Sequence, residues 1–246
     1  MATASTLQPI DRPRRSFVYR ALLPLGARFG EEDGTAVALD FGDAAAEAAA
    51  ARHLGLADLS PLSRTGFKGK GTAEWLTAQG VIVPPESNRA VAQSSGALAA
   101  RLAPGEVLIL GTLAGASDLP ARLNVAWASA PLPPKEPRGF PVPRADSHAW
   151  FLLTGACTPQ MFAKLCGVDL RPGKFPSGHI AQTSIARLNG IVIRDDQGGL
   201  PAYHLLADSA SAEYLWICLR DAMGEFDGKP IGMRAVRALA SQQSEP

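Results

Sequence analysis

Short apolar runs alternate with turns marked by glycine and proline along most of this chain, most clearly between residues 173 and 222. There, β-branched runs at 179–187 and 190–194 predict two strands, and the turn DDQGGLP closes the second. Residues 203–207 predict a third strand. Asp208 or Ser209 then caps a helix whose apolar residues Ala212, Leu215, Trp216, Leu219 and Ala222 recur at helical spacing. Upstream, residues 37–41 predict a strand, and Ala44–His53, nearly all alanine, has the highest helix propensity in the chain. Arg64–Lys68 reads as a strand leading through Gly69 and Gly71 into a helix over Thr72–Ala78, stopped by Gly80. Residues 95–101 and 106–110 predict a hairpin around Ala103, Pro104 and Gly105. A helix over 117–123 and a strand over 125–127 follow. Residues 131–144 hold six prolines and predict a connector, not an element. Beyond it, 149–153 predicts a strand and 159–165 a short helix.

The two successions match. GKGTAEWLTAQGV and GACTPQMFAKLCGV echo each other, and Ala-Gln-Ser-Ser at 92–95 corresponds to Ala-Gln-Thr-Ser at 181–184 ahead of paired strands. A repeat of this length predicts two similar halves related by a pseudo-twofold axis. The fold class expected is α/β (α+β), with two tandem ferredoxin-like subdomains. The expected divisions are a disordered tail at 1–16, a first half at 17–130, a linker at 131–147 and a second half at 148–246.

Charge and composition remove several function classes. The 24 basic and 23 acidic residues leave a net charge of +1, so no global field draws the chain to nucleic acid or an anionic membrane. Three cysteines without a CxxC pair fit a reducing compartment. No apolar run approaches the roughly 20 residues that span a bilayer. A cytoplasmic protein is expected. The four histidines, His53, His148, His179 and His204, show no metal-ligand spacing, and no metal is expected. Cys157 and Cys166, at opposite ends of a short helix, read as buried structural thiols. Asp195 and Asp196 fall in a Gly-rich turn where aspartate bonds its own backbone. GFKGKG lacks both phosphate-loop patterns and reads as a glycine turn. Tyr203, Tyr214 and Trp216 read as packing the last helix onto its sheet. No catalytic residue is visible.

Several stretches resemble a known family. EAAAARHLGLADLS, GFKGKGTAEWL and GKPIGMRAVRALA are similar to segments of the glycine-cleavage T-protein (aminomethyltransferase) family. DLRPGKFPSGHIAQTSIARL and SASAEYLWICLRDA resemble the γ subunit of heterotetrameric sarcosine oxidase. The resemblance implies the T-protein folate-binding fold without the C-terminal β-barrel of the larger enzymes. It also shows losses: the family's acidic pair falls on Ala99 and Ala100, and its folate-gripping glutamate on His204. Those losses imply a non-catalytic, γ-like subunit of a folate-linked flavin amine oxidase or demethylase. Its partners would be larger flavin-bearing subunits carrying FAD, FMN and NAD. The alternative is a stand-alone tetrahydrofolate-dependent aminomethyltransferase-like enzyme or a folate-binding accessory protein. In either of those, Gln182, Arg187, Tyr203 or His204 would supply the ligand contacts. The KGCYxGQE-type signature of the iron–sulfur repair relatives is absent, with KFPSGHIAQ in its place.

Overall fold

A computed structural model describes residues 7–114, 119–131 and 136–242. The chain opens with a small sheet of Arg14–Arg15 (β1), Arg28–Glu32 (β2) and Thr35–Asp40 (β3), with a short helix, Tyr19–Leu22 (α1), between its first two strands. Asp33 and Gly34, both at positive φ, make the tight turn that joins β2 to β3. Helix α2, Ala44–His53, starts where Asp43 accepts from the Ala46 N–H at 2.9 Å. Next come Gly55–Asp58 (β4), Arg64–Lys68 (β5), Thr72–Ala78 (α3), Arg89–Ala92 (β6), Leu98–Ala103 (β7), Glu106–Leu110 (β8), Leu119–Ser129 (α4) and Phe140–Val142 (β9). After Arg144–Ser147 (α5) the pattern returns as His148–Thr154 (β10), Thr158–Phe162 (α6), Ile180–Ile185 (β11), Leu188–Arg194 (β12), Ala202–Asp208 (β13) and Ala212–Gly224 (α7). Lys229–Pro230 (β14) and Met233–Ser241 (α8) complete the described chain.

The repeat read in the sequence recurs in the sheets. One has the order β6-β7-β8-β5-β9 and the other β11-β12-β13-β10-β4-β14. In each, the strand before the first helix of the unit lies beside the last strand of the three that follow. The two units therefore share one topology, and no closed barrel is present among the described residues. β4, from the first half of the chain, pairs with β10 and so extends the second sheet.

Alternation along the strands sorts the side chains into three layers of core. In β10, Phe151 and Leu153 face α6 and α7, where they meet Phe162, Leu215 and Trp216. Trp150 and Leu152 face the other way, against Leu98, Ala100 and Leu108 of the five-stranded sheet. On that sheet's far side, Phe67, Ala99 and Ile109 pack under Leu76 of α3 and Leu123 of α4. The order is helices, sheet, sheet, helices. α8 closes one end of the intersheet core, burying Met233, Val236 and Leu239. Backbone bonds link the sheets where Ala90 N–H donates to Gly178 at 2.7 Å and Ile180 N–H to Asn88 at 3.1 Å.

Local pattern misleads in four places. The strand expected at 125–127 is the C-terminal part of α4, because Leu119, Leu123 and Trp127 share one helical face against the sheet. Residues 117–118 of the helix expected there lie outside the described residues. Within the proline-rich connector, whose residues 132–135 lie outside the described residues, Phe140–Val142 pairs with β5 as an edge strand. Proline is tolerated at an edge, where a missing N–H breaks no ladder. The strands expected over 179–187 and 190–194 are Ile180–Ile185 and Leu188–Arg194, joined by a turn at Ala186 and Arg187, both at positive φ. Register decides this: Ile185 opposes Leu188 and Ile180 opposes Ile193. In the expected tail, residues 1–6 lie outside the described residues, whereas Pro9 is buried and Arg14–Arg15 pairs with β3.

Candidate functional site

β13 is buried on both faces, so its neighbours in sequence serve opposite sides. Tyr203 points to the helix layer, where its hydroxyl donates to the Leu170 carbonyl at 2.7 Å and its ring meets Phe162 edge-on. Burial pushes its phenol up to about 12, so it remains a donor at neutral pH. His204 points between the sheets and is 2% exposed.

There the indole N–H of Trp150 donates to Nδ1 of His204 at 3.1 Å, the rings lying 5.5 Å apart. An indole can only donate, so Nδ1 is an acceptor and the imidazole hydrogen sits on Nε2. Nε2 in turn faces Oδ2 of Asp195 at 3.3 Å, and the Gln197 amide donates to the same oxygen at 2.8 Å. The loop carrying Asp195 and Gln197 is pinned by paired backbone bonds between Gln197 and Leu200, with Gly198 and Gly199 at positive φ in the turn. Asp196 goes elsewhere, gripping the Arg194 guanidinium through both carboxylate oxygens at 2.8 and 2.6 Å.

Beside this relay a cavity of about 290 Å³ opens between the sheets. Gly96 and Leu98, Leu110 and Thr112, and Ala240 of α8 complete its wall with Asp195, Gln197 and His204. Its wall combines an acidic, an amide and an imidazole side chain with apolar ones, the composition of a small-molecule pocket.

The four residues named from sequence are not gathered here. His204 lines the cavity and Tyr203 faces away from it. Gln182 bridges the sheets, donating to the Asn88 side chain at 2.9 Å and the Leu102 carbonyl at 2.8 Å. Arg187 sits in the β11–β12 turn. Ala99 packs in the sheet–helix core and Ala100 in the intersheet core, both fully buried. Sequence reading missed Asp195 and Gln197 as wall residues. No local signal pointed to them, since the strand that carries His204 is buried on both faces.

Other expectations meet the structure as follows. The glycine turn at 69–71 is filled by its own chain: the Pro137 carbonyl lies where a Gly71 side chain would be, and Gly139 N–H donates to Lys70 at 2.9 Å. Trp216 is buried against Phe151, whereas Tyr214 is half exposed, its hydroxyl on the Ala186 carbonyl. Cys166 is a buried thiol, but Cys157 is only half-buried, its N–H donating to the His53 carbonyl at the end of α2. Among the described residues, no three acidic, histidine or cysteine side chains cluster as a metal site, and no helix is long and apolar enough to cross a membrane.

No family model matches the sequence, and no curated protein matches it. Solved structures do. A chain of heterotetrameric sarcosine oxidase from Corynebacterium sp. U-96, solved with pyrrole 2-carboxylate, aligns with a TM-score of 0.58 at 24% identity, over 74% of this chain and 92% of that one. Glycine cleavage system aminomethyltransferase T from Bartonella henselae aligns with a TM-score of 0.70 at 16% identity, over 92% of this chain and 62% of that one. This chain thus spans less than two thirds of the aminomethyltransferase. The duplicated two-sheet architecture with a cavity between the sheets is therefore the T-protein-like fold.

Proposed function

We propose that this chain is a non-catalytic, γ-like subunit of a heterotetrameric, folate-linked flavin amine oxidase or demethylase of the sarcosine oxidase type. In that assembly the larger subunits carry FAD, FMN and NAD, and this chain shapes the complex and walls part of its interior. The observation that supports this most is the near end-to-end alignment, 92%, with a heterotetramer chain shorter than this one. The methyl groups at Ala99 and Ala100 point the same way, since a methyl neither takes nor orients a proton. Purification of the full chain from its native source, followed by absorption spectra and subunit masses, tests the reading. Stable co-elution with larger flavin-bearing chains is expected. Recovery of the whole pool free of any flavoprotein would sink it.

The cavity itself favours a second reading, a stand-alone tetrahydrofolate-dependent aminomethyltransferase-like enzyme or a folate-binding accessory protein. Its volume of about 290 Å³ admits a bicyclic ring, and Asp195 and Gln197 would hold the polar edge of a pterin. Tetrahydrofolate would supply one-carbon carrier chemistry there. Calorimetric titration of the isolated chain with tetrahydrofolate separates the two. No binding is expected from the γ-like subunit, whereas saturable binding lost in Asp195→Ala would favour the second reading.

A further inference from the structure

His53 and Cys157 stand 104 positions apart, and no spacing links them in sequence. The fold places Sγ of Cys157 3.7 Å from Nδ1 of His53, and neither residue lines the cavity. Nε2 of the same imidazole lies 2.8 Å from the Phe226 carbonyl. A carbonyl only accepts, so the imidazole hydrogen is on Nε2 and the Nδ1 lone pair faces the thiol. Two backbone bonds hold the partners in place. Ala156 N–H donates to Arg52 at 3.0 Å and Cys157 N–H to His53 at 2.9 Å, using carbonyls at the C-terminal end of α2 that lack helical partners. Gly155, at φ +103°, permits this approach, since a Cβ there would fall 2.5 Å from the His53 carbonyl carbon. Cys157 is half-buried and His53 is exposed, so a small reagent can reach the sulfur. Cys166 is buried, and Cys218 bonds with Tyr214.

A thiol, a base within reach of its proton and a third group that orients the base make up an activated nucleophile. We propose that Cys157 is a modification site for small soft electrophiles, peroxides above all, with His53 as its base. In the step, the thiol proton passes to Nδ1 of His53 as sulfur attacks one peroxide oxygen. The S–O bond forms and the O–O bond breaks with its electron pair. The departing hydroxide takes the proton from the imidazolium and leaves as water, so the thiol is oxidised to a sulfenic acid and the peroxide reduced. The transient imidazolium lies at the negative end of the α2 dipole. This assignment is independent of what the cavity holds.

Iodoacetamide, which exchanges its C–I bond for a C–S bond and releases iodide, reads the nucleophile directly by mass spectrometry of the full chain. At neutral pH Cys157 reacts about tenfold faster than Cys218, and His53→Gln removes that advantage. Glutamine keeps a donor for the Phe226 carbonyl but takes no proton. Hydrogen peroxide followed by dimedone labels Cys157 in the wild type and not in His53→Gln. An unchanged Cys218 rate and an unreactive Cys166 report that the variant is folded. Equal rates at Cys157 and Cys218 in the wild type, or an undiminished Cys157 rate in a folded His53→Gln, would overturn the assignment. Should Cys166 become reactive in the variant, the wild-type ratio alone decides.

Discussion

Nδ1 of His204 accepts from the indole of Trp150 at 3.1 Å, and that bond decides which edge of the imidazole meets Asp195. Both rings are buried, and their residues sit on neighbouring strands, β13 and β10. Trp150→Phe keeps an aromatic ring in the intersheet core but leaves a buried imidazole nitrogen without its donor. The expected loss is about 1–3 kcal/mol in equilibrium urea unfolding. A change within about 0.5 kcal/mol would show that the bond carries no weight.

Gly71 and Gly80 separate space from backbone strain. Both lie at positive φ, +79° and +82°, but a Cβ at Gly71 would overlap the Pro137 carbonyl, whereas one at Gly80 meets nothing within 4 Å. Gly80→Ala is expected to lose about 1–2 kcal/mol from strain alone. Gly71→Ala should lose at least about 3 kcal/mol and speed amide exchange along Phe140–Val142, because the edge strand must lift away. Equal losses in the two variants would contradict the packing of that segment.

Arg64 organises the corner between the sheets. Its guanidinium donates to the carbonyls of Ser60 at 2.7 Å, Leu62 at 3.0 Å, Arg144 at 3.1 Å and Ala145 at 2.8 Å, as well as to His148. Burial lowers it to about 10, which leaves it cationic at neutral pH. Lysine cannot span that fork, so Arg64→Lys leaves several carbonyls unmatched and is expected to lose about 3 kcal/mol in thermal unfolding. Retention of wild-type stability would mean that water replaces the fork.

His148 gives the fold an acid sensitivity. Burial first, then the charges of Arg144 and Arg64, hold it at about 4 against an ordinary 6.5. Between those values the unfolded chain takes up a proton that the folded chain refuses. The contribution is thus fully present above about pH 6.5 and is lost as pH falls toward 4. Half-exposed and partly screened, it is on the order of 1–2 kcal/mol. Asp58, raised by burial, works in the opposite direction in the acid range, so the measurement is a difference between wild type and His148→Gln. The wild-type curve should fall relative to that of His148→Gln as pH drops from about 6.5 toward 4. Parallel curves from pH 7 to 4 would remove His148 from the account.

Much of the fold is legible in short windows. Ala44–His53, Arg64–Lys68 and Thr72–Ala78 are elements whose periodicity, caps and stopping residues all lie within a few positions. Residues 125–127 were not, because three apolar-rich residues suit either period and only the sheet beneath α4 chooses between them. The turn at Ala186–Arg187 was hidden for a related reason: neither residue favours positive φ, and cross-strand register imposes it. Of the site, His204 was named through the family resemblance, not from its own strand, which is buried on both faces. Asp195 could not be named, since its turn gives no sign that an imidazole waits 3.3 Å away.

By itself the sequence determined the repeat and the order of most elements, because those properties rest on spacing along the chain. Tertiary structure alone decided that the two sheets pack face to face, that His204 meets Trp150 and Asp195, and that Cys157 meets His53. Those pairings join residues distant in sequence, and their geometry exists only once burial of both inner faces has fixed the register of the strands between them.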